Sequence, residues 1–443
     1  MDKESSFSRS KWFTLILFGL IGQIAWAVEN MYFNLFVFNT VAPSLETVTL
    51  MVQLSGITAT VVTLVAGTVS DRIGNRRAFI SFGYIIWGVT VAIFGFLSPS
   101  LAQELFSVGF DKAVAITLVL VVVADCIMTA FGSAANDAAF NAWVTDNTER
   151  SYRGRVEGIL SILPLIALLI VAGGFAIIVG AIGYDMMFLS LGIAISLSGV
   201  VGIIYVKDKP GLRKSGSMKD IFYGFRPSVI KHNAPFYVSL LVILVYGVAC
   251  QIFMPYMIIY MNRHLGFNEL EYSAVFALAI LAGAAINVFL TRISDKKDKV
   301  KLLYASALVM SLGLLFMYLS NGSSKTLNLI FFGLSGFVMI TGYIFTSALT
   351  GSTIRDFTPE GEVGKLQGVR MVFSVLIPML VGPMIGNAIN RAQGERLPDL
   401  NSPDAMTTTY IPAPEIFLAA SLVMLLVFAI IPFLSKLKAK AEK

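Results

Sequence analysis

The chain has 443 residues, 56% of them hydrophobic and 14% charged, where a soluble domain carries about a quarter charged residues. Most of its surface therefore faces something other than water, which excludes the soluble-enzyme class. The net charge of +6 does not point to a nucleic-acid partner, because basic residues belong on the cytoplasmic side of a membrane protein.

Twelve apolar helical spans are predicted at 12–38, 47–70, 78–98, 113–142, 155–182, 184–206, 234–262, 268–292, 300–320, 326–354, 365–390 and 411–435. Each can cross the ~30 Å hydrocarbon core, which takes about 20 helical residues. All are helices, because an open strand edge cannot be satisfied in lipid. The expected fold is an all-α polytopic membrane protein of two six-helix pseudo-repeats. Residues 1–206 form an N-terminal bundle, 207–233 a basic cytoplasmic loop, and 234–443 a C-terminal bundle.

The first run begins near Trp12, is too long for a signal-peptide core and has no small-residue cleavage site after it, so it reads as a retained span. It carries Glu29 at depth, with Gln23, Trp26, Asn30 and Asn34 within one face at about 100° per residue. Span four carries Asp125, Thr129, Gly132 and Asn136 in a second stripe, with Asp137 and Asn141 nearer its cytoplasmic end. Gly173, Gly174 and Gly180 in span five allow close helix approach. Span seven is decorated by Tyr246, Gln251, Tyr256, Tyr260 and Asn262, and span ten by Thr341, Tyr343, Thr346 and Ser347. Cys126 and Cys250 fall inside apolar runs and read as small buried hydrophobes. His232 and His264 lie in predicted loops, so no His-based metal site is expected. No phosphate-binding loop and no nucleophile–base constellation is found, which excludes an ATP-driven pump and an enzyme.

Charge sets the orientation. Of the 33 Lys and Arg residues, 28 fall on the side of the N-terminus and five on the other: Lys112, Arg263, Lys325, Arg391 and Arg396. Both termini are therefore expected in the cytoplasm.

The halves repeat. Asp146, Thr148, Gly154 and Gly158 recur as Asp356, Thr358, Gly364 and Gly368, all offset by 210 residues. The loop after span two reads Gly67-Thr-Val-Ser-Asp71-Arg72-Ile-Gly74-Asn-Arg76-Arg77, and Ser294-Asp295-Lys296-Lys297 is a weaker echo of it. This loop resembles the signature cytoplasmic loop of the major facilitator superfamily. The resemblance implies alternating access, in which two bundles rock around a central site. It also implies that Asp71 sits against the N-terminal end of span eleven, where helix N–H groups favour an anion. A cytoplasmic gate network would comprise Gly67, Asp71, Arg72, Gly74, Arg76 and Arg77 with Asp137, Asp146, Arg150, Arg153 and Asp356.

A finer resemblance is to the glycoside–pentoside–hexuronide:cation symporters and the sucrose-type proton symporters. It rests on Trp26, Glu29 and Asn30, on Asp125, and on the loops around Asp146 and Asp356. Acids of spans one, two and four bind cation and sugar in that family. Here span two offers only Gln53, which favours a proton over sodium as the coupling cation. An ionisable group at depth is costly and needs a reason, and a carboxyl shielded from water loads a proton more readily. Glu29 and Asp125 are thus the coupling candidates. Gln23, Trp26, Asn30, Asn34, Thr129, Asn136, Tyr246, Gln251, Tyr256, Tyr343 and Thr346 are candidates to contact a neutral polyhydroxylated solute. The same polar groups could instead join helix to helix.

The expected protein is a monomeric plasma-membrane symporter, with a small-molecule substrate, the lipid bilayer as surroundings, no cofactor and no nucleic acid. The alternatives are a drug or metabolite exporter of the same fold and a non-transporting receptor or scaffold.

Overall fold

The computed structural model describes residues 8–148, 153–209, 218–294, 297–322, 324–359, 363–397 and 409–441. Twelve helices among them are long and apolar enough to span a membrane: Arg9–Val41, Leu45–Ile73, Arg76–Phe96, Phe110–Asn147, Gly158–Phe175, Ile177–Tyr205, Ala234–His264, Glu269–Leu290, Lys299–Leu319, Lys325–Phe357, Leu366–Gln393 and Glu415–Lys440. They are called spans 1 to 12 below. The expected all-α membrane fold is thus observed. His264 closes span 7 rather than lying in a loop. Strand pairing among the described residues is limited to Arg396–Leu397 against Thr409–Tyr410.

The chain forms two compact units, Met1–Ala42 with Ile57–Met218 and Pro43–Gly56 with Lys219–Lys443. This departs from the expected boundary at one place, since the first turns of span 2 belong with the second unit. Side chains explain the assignment. Thr49 Oγ1 lies 2.7 Å from Tyr256 Oη, and Gln53 Nε2 donates to Leu380 O at 2.9 Å. A Cβ placed on Gly56 would press against Met379.

In the first unit, spans 3 and 6 approach through small residues. A Cβ on Gly88 would fall on Gly192 O, and one on Gly199 would fall on Ser81 O. Close backbone approach of this kind is how helices gain contact where lipid removes the hydrophobic incentive. Ser196 Oγ adds a bond to Ile85 O at 3.0 Å. Within the run called span 6 the helix is broken by a turn at Gly183 (φ 78°, ψ 171°), a conformation open to glycine alone, and residues 177–182 before it continue the direction of span 5. Phe33, Phe94 and Phe188 form an aromatic core, with Phe33 edge-on to Phe188 at 4.9 Å.

A short helix, Pro99–Phe106, stands where the sequence suggested only a connection. Ser98 caps it by accepting from Leu101 N, and Pro99 starts it, the usual order at a helix N-terminus. Pro227–His232 likewise folds as a short helix before span 7.

In the second unit, spans 9 and 10 meet at Gly313 against Met339 and at Gly342 against Met310. Asn287 Nδ2 ties span 8 to Thr341 O at 3.1 Å. Ser311 and Ser421 exchange reciprocal hydroxyl-to-carbonyl bonds at 3.1 and 2.9 Å, locking span 9 to span 12. Each satisfies a hydroxyl that lipid would leave bare.

Candidate functional site

The polar residues of the first unit converge on two widened helical turns. Span 1 passes through a π-helical turn at Glu29–Phe33, and span 4 through a longer one at Ser133–Phe140. Such turns displace side chains from regular register and often accompany functional sites. Glu29 is 9% exposed and Asp125 2%. Thr129 Oγ1 donates to Glu29 Oε1 at 3.1 Å, and Asp125 lies one turn from Thr129 on the same helix face. The two predicted coupling acids therefore share one face of span 4 through Thr129.

Below them stands an aromatic wall. The rings of Trp26 and Trp87 lie 5.1 Å apart, and Tyr84 follows at 5.3 Å from Trp87. Gly132 makes room for both indoles, since a Cβ there would meet Trp87 and Trp26. Tyr84 Oη lies 2.9 Å from Phe18 O and 2.8 Å from Asn136 Oδ1, its single proton shared between the two acceptors. Gly22 permits this approach, because a side chain there would strike Asn136 and Tyr84. The buried indole nitrogen of Trp87 has no protein acceptor among the described residues, which leaves a donor for a ligand or water.

Asp137 was expected in the gate network, and the structure places it elsewhere. Its Oδ1 accepts from Asn136 Nδ2 at 3.0 Å, and the indole of Trp26 reaches the same carboxyl. Asp137 thus belongs with the aromatic wall. Tyr84 and Trp87 were not singled out from the sequence, although their i, i+3 spacing on span 3 was the available signal.

Other candidates turn inward to the helices themselves. Asn30 Nδ2 donates to Trp26 O at 2.7 Å and Asn34 Nδ2 to Asn30 O at 3.2 Å. Both amides serve carbonyls at the widened turn of span 1; Asn34 is buried and Asn30 exposed. Gln23 is half-buried on the same helix.

In the second unit, the rings of Tyr246 and Tyr343 lie 5.6 Å apart, and Tyr246 Oη donates to Tyr343 O at 3.3 Å. Tyr246 is buried, Tyr343 half-buried, and Ser347, one turn on, exposed. Tyr256 is instead a structural tie: fully buried, it bonds Thr49 and donates to Pro383 O at 2.9 Å. Thr346 is also fully buried. Both expected substrate contacts are thus interior residues in this structure. Gln251 packs its stem on Gly382 of span 11.

At the basic end of the first unit, the signature loop is built around Arg76. The guanidinium is 4% exposed and bonds Asp71, Ser70 Oγ and, at 3.2 Å, Asp146 Oδ2. Gly74 supplies the left-handed residue (φ 70°) that ends span 2. Arg77 N donates to Asp208 Oδ1 at 3.0 Å, and its side chain bonds Ile203 O. Arg72 is exposed. A Cβ on Gly67 would make only ordinary contact with Ala138 at 3.9 Å, so no close approach requires that glycine. In the second unit Lys299 Nζ bonds Asp356 Oδ2 at 2.8 Å and Ser352 Oγ at 2.7 Å. Arg150 lies outside the described residues, as do Asp295 and Lys296 of the weaker echo; the Arg153 side chain is likewise not described.

These features define a two-unit helical carrier with a buried acidic and aromatic site. The Major Facilitator Superfamily model matches residues 12–383, and the chain belongs to that family. It is a transporter and not an enzyme. Among solved structures it resembles a bacterial homolog of the human lysosomal transporter Spinster, in an inward-facing and unoccupied conformation, with 14% identity, 97% of this chain and 98% of that chain covered, and a TM-score of 0.65. It also resembles a mutant of the nucleoside transporter NupG, with 10% identity, coverage of 95% and 98%, and a TM-score of 0.68. At these identities the likeness is one of fold. No curated protein matches the chain in sequence.

Proposed function

We propose that this transporter is a proton-coupled symporter of a sugar or glycoside, acting as a monomer by alternating access in the plasma membrane with both termini cytoplasmic. The observation that carries the reading is the Glu29–Thr129 bond standing on the same two helices as Trp26 and Asp137. A buried acid that can be neutral or charged is the element a proton-driven cycle needs. An indole face packs against the C–H face of a sugar ring, while carboxylate and amide accept and donate to its hydroxyls. Nucleosides are N-glycosides, so the fold likeness to NupG places nucleosides in the first test set.

Purified protein in detergent is screened by thermal shift against sugars, glycosides, nucleosides and cationic drugs, since a ligand of the folded state raises apparent stability. The stabilising solute is then loaded into proteoliposomes under an imposed proton gradient. Uphill accumulation of a sugar or glycoside, lost in Glu29→Gln and in Asp125→Asn while exchange persists, supports the proposal. Stabilisation by cationic drugs alone would move the assignment to export. Binding without flux under any gradient would favour the receptor reading.

A further inference from the structure

The second unit carries an open groove of about 560 Å³ between spans 7 and 12. Val238 and Leu241 form one bank, Ala429, Ile430 and Phe433 the other, and Lys436 stands at its end. The groove opens just past a break in span 12. That span is two helices, Glu415–Leu425 and Val427–Ala441, and the second contains Pro432. Proline removes one backbone donor and bends the helix, and the small side chain of Ala429 leaves space in the groove that a larger one would fill.

We infer that this groove binds one anionic phospholipid, with an acyl chain along the apolar banks and the phosphate at Lys436. Three observations carry this. First, the walls are apolar and Phe433 is 64% exposed, so a hydrocarbon chain gains contact on both sides that a flat helix face does not give. Second, the lysine stem lines the same groove while Lys436 itself is exposed, the arrangement of a chain that buries methylenes and presents its ammonium at the interface. Lys440 is exposed one turn further on, and Lys231 is exposed in the short helix that precedes span 7. Lys438, which lies between Lys436 and Lys440 in sequence, is engaged by Asp298 at 3.0 Å. Third, the banks run for only about two helical turns, ~12 Å at 1.5 Å per residue. That is too short for a partner helix to bury the ~1,000 Å² of a stable protein interface. The site is independent of the transported solute and of Glu29.

The test uses delipidated full-length protein in detergent. Its melting temperature is followed while phosphatidylglycerol, phosphatidylcholine or glycerol 3-phosphate is titrated, and lipid adducts are counted by native mass spectrometry. Phosphatidylglycerol should stabilise saturably with one retained lipid, at an affinity about fivefold or more above that of phosphatidylcholine, as expected for one interfacial lysine. Lys436→Gln should erase that preference, and Ala429→Phe, which fills that space, should abolish retention of either lipid. Each variant's melting temperature without lipid checks that it folds. Equal affinity for the two lipids, or a preference unchanged in Lys436→Gln, would overturn the inference. So would retention unchanged in Ala429→Phe, or stabilisation by glycerol 3-phosphate as strong as that by phosphatidylglycerol.

Discussion

Lys299 holds Asp356 at 2.8 Å in the second unit as Arg76 holds Asp146 at 3.2 Å in the first. Each cation is the first residue of the third helix of its half, and each acid lies at the end of the fourth. The two acids are the pair offset by 210 residues in sequence. The internal repeat is therefore preserved as a working contact, with arginine exchanged for lysine.

The two pairs differ in burial, and stability should follow. Arg76 is 4% exposed and serves three acceptors, whereas Lys299 and Asp356 are 32% and 55% exposed. Arg76→Ala strands two carboxylates and should cost about 3 kcal/mol, the low end for breaking a buried pair because both acids keep some water. Lys299→Ala should cost about 0–1 kcal/mol. Apparent melting temperatures in detergent check this, and equal losses in the two variants would refute the burial argument.

Asp137→Asn separates a site role from a gate role. Asparagine keeps an oxygen for Asn136 Nδ2, so thermal stability should stay within about 1 kcal/mol of the parent. Substrate should stabilise the variant less while proton-driven accumulation persists, because the neutral amide beside Trp26 is a weaker acceptor than a carboxylate and Glu29 and Asp125 are untouched. A variant that instead melts like Arg76→Ala, with substrate stabilisation intact, would return Asp137 to the gate network.

Asp298 offers a pH effect outside the spans. Partial burial works against its charge, but Lys438 and the N–H groups of Val300 and Lys301 outweigh this and hold its carboxyl below the usual range. A depressed folded pKa means stabilisation present above the unfolded value, about 3.9, and lost as pH falls through the folded value. Its side chain is 36% exposed, so screening limits the effect to about 0–1 kcal/mol. Asp298→Asn keeps the cap on span 9 and should flatten the acid limb of the melting curve below about pH 4, measurable against the parent at low salt.

Twelve spans were legible because hydropathy over about 20 residues is set by the bilayer itself. The turn at Gly183 was legible too, falling between the predicted fifth and sixth spans. Asp137 was misplaced because its depth was judged from distance along the chain. Span 4 runs 38 residues, Phe110–Asn147, far beyond what the core needs, so a residue ten short of its end still meets Trp26. The widened turn at Ser133–Phe140 shifts the face further, and a regular 100° wheel does not contain it. Tyr256 shows the other limit. Its partner Pro383 O is a backbone atom, which no pattern of side chains announces.

The packing of spans 3 and 6 gives the most direct test of the first unit. A Cβ on Gly88 would strike Gly192 O and Ser196, and one on Gly192 would strike Gly88 O and Ala92. Backbone atoms do not yield as a flexible side chain does, so one methyl must push the helices apart. Gly88→Ala should cost about 1–3 kcal/mol, the range for overpacking a close contact, and Gly192→Ala about the same. Gly109→Ala is the control, because nothing lies within 4 Å of its added Cβ. If Gly88→Ala melts with Gly109→Ala rather than well below it, the helices are not held at backbone contact and the unit is looser than the structure indicates.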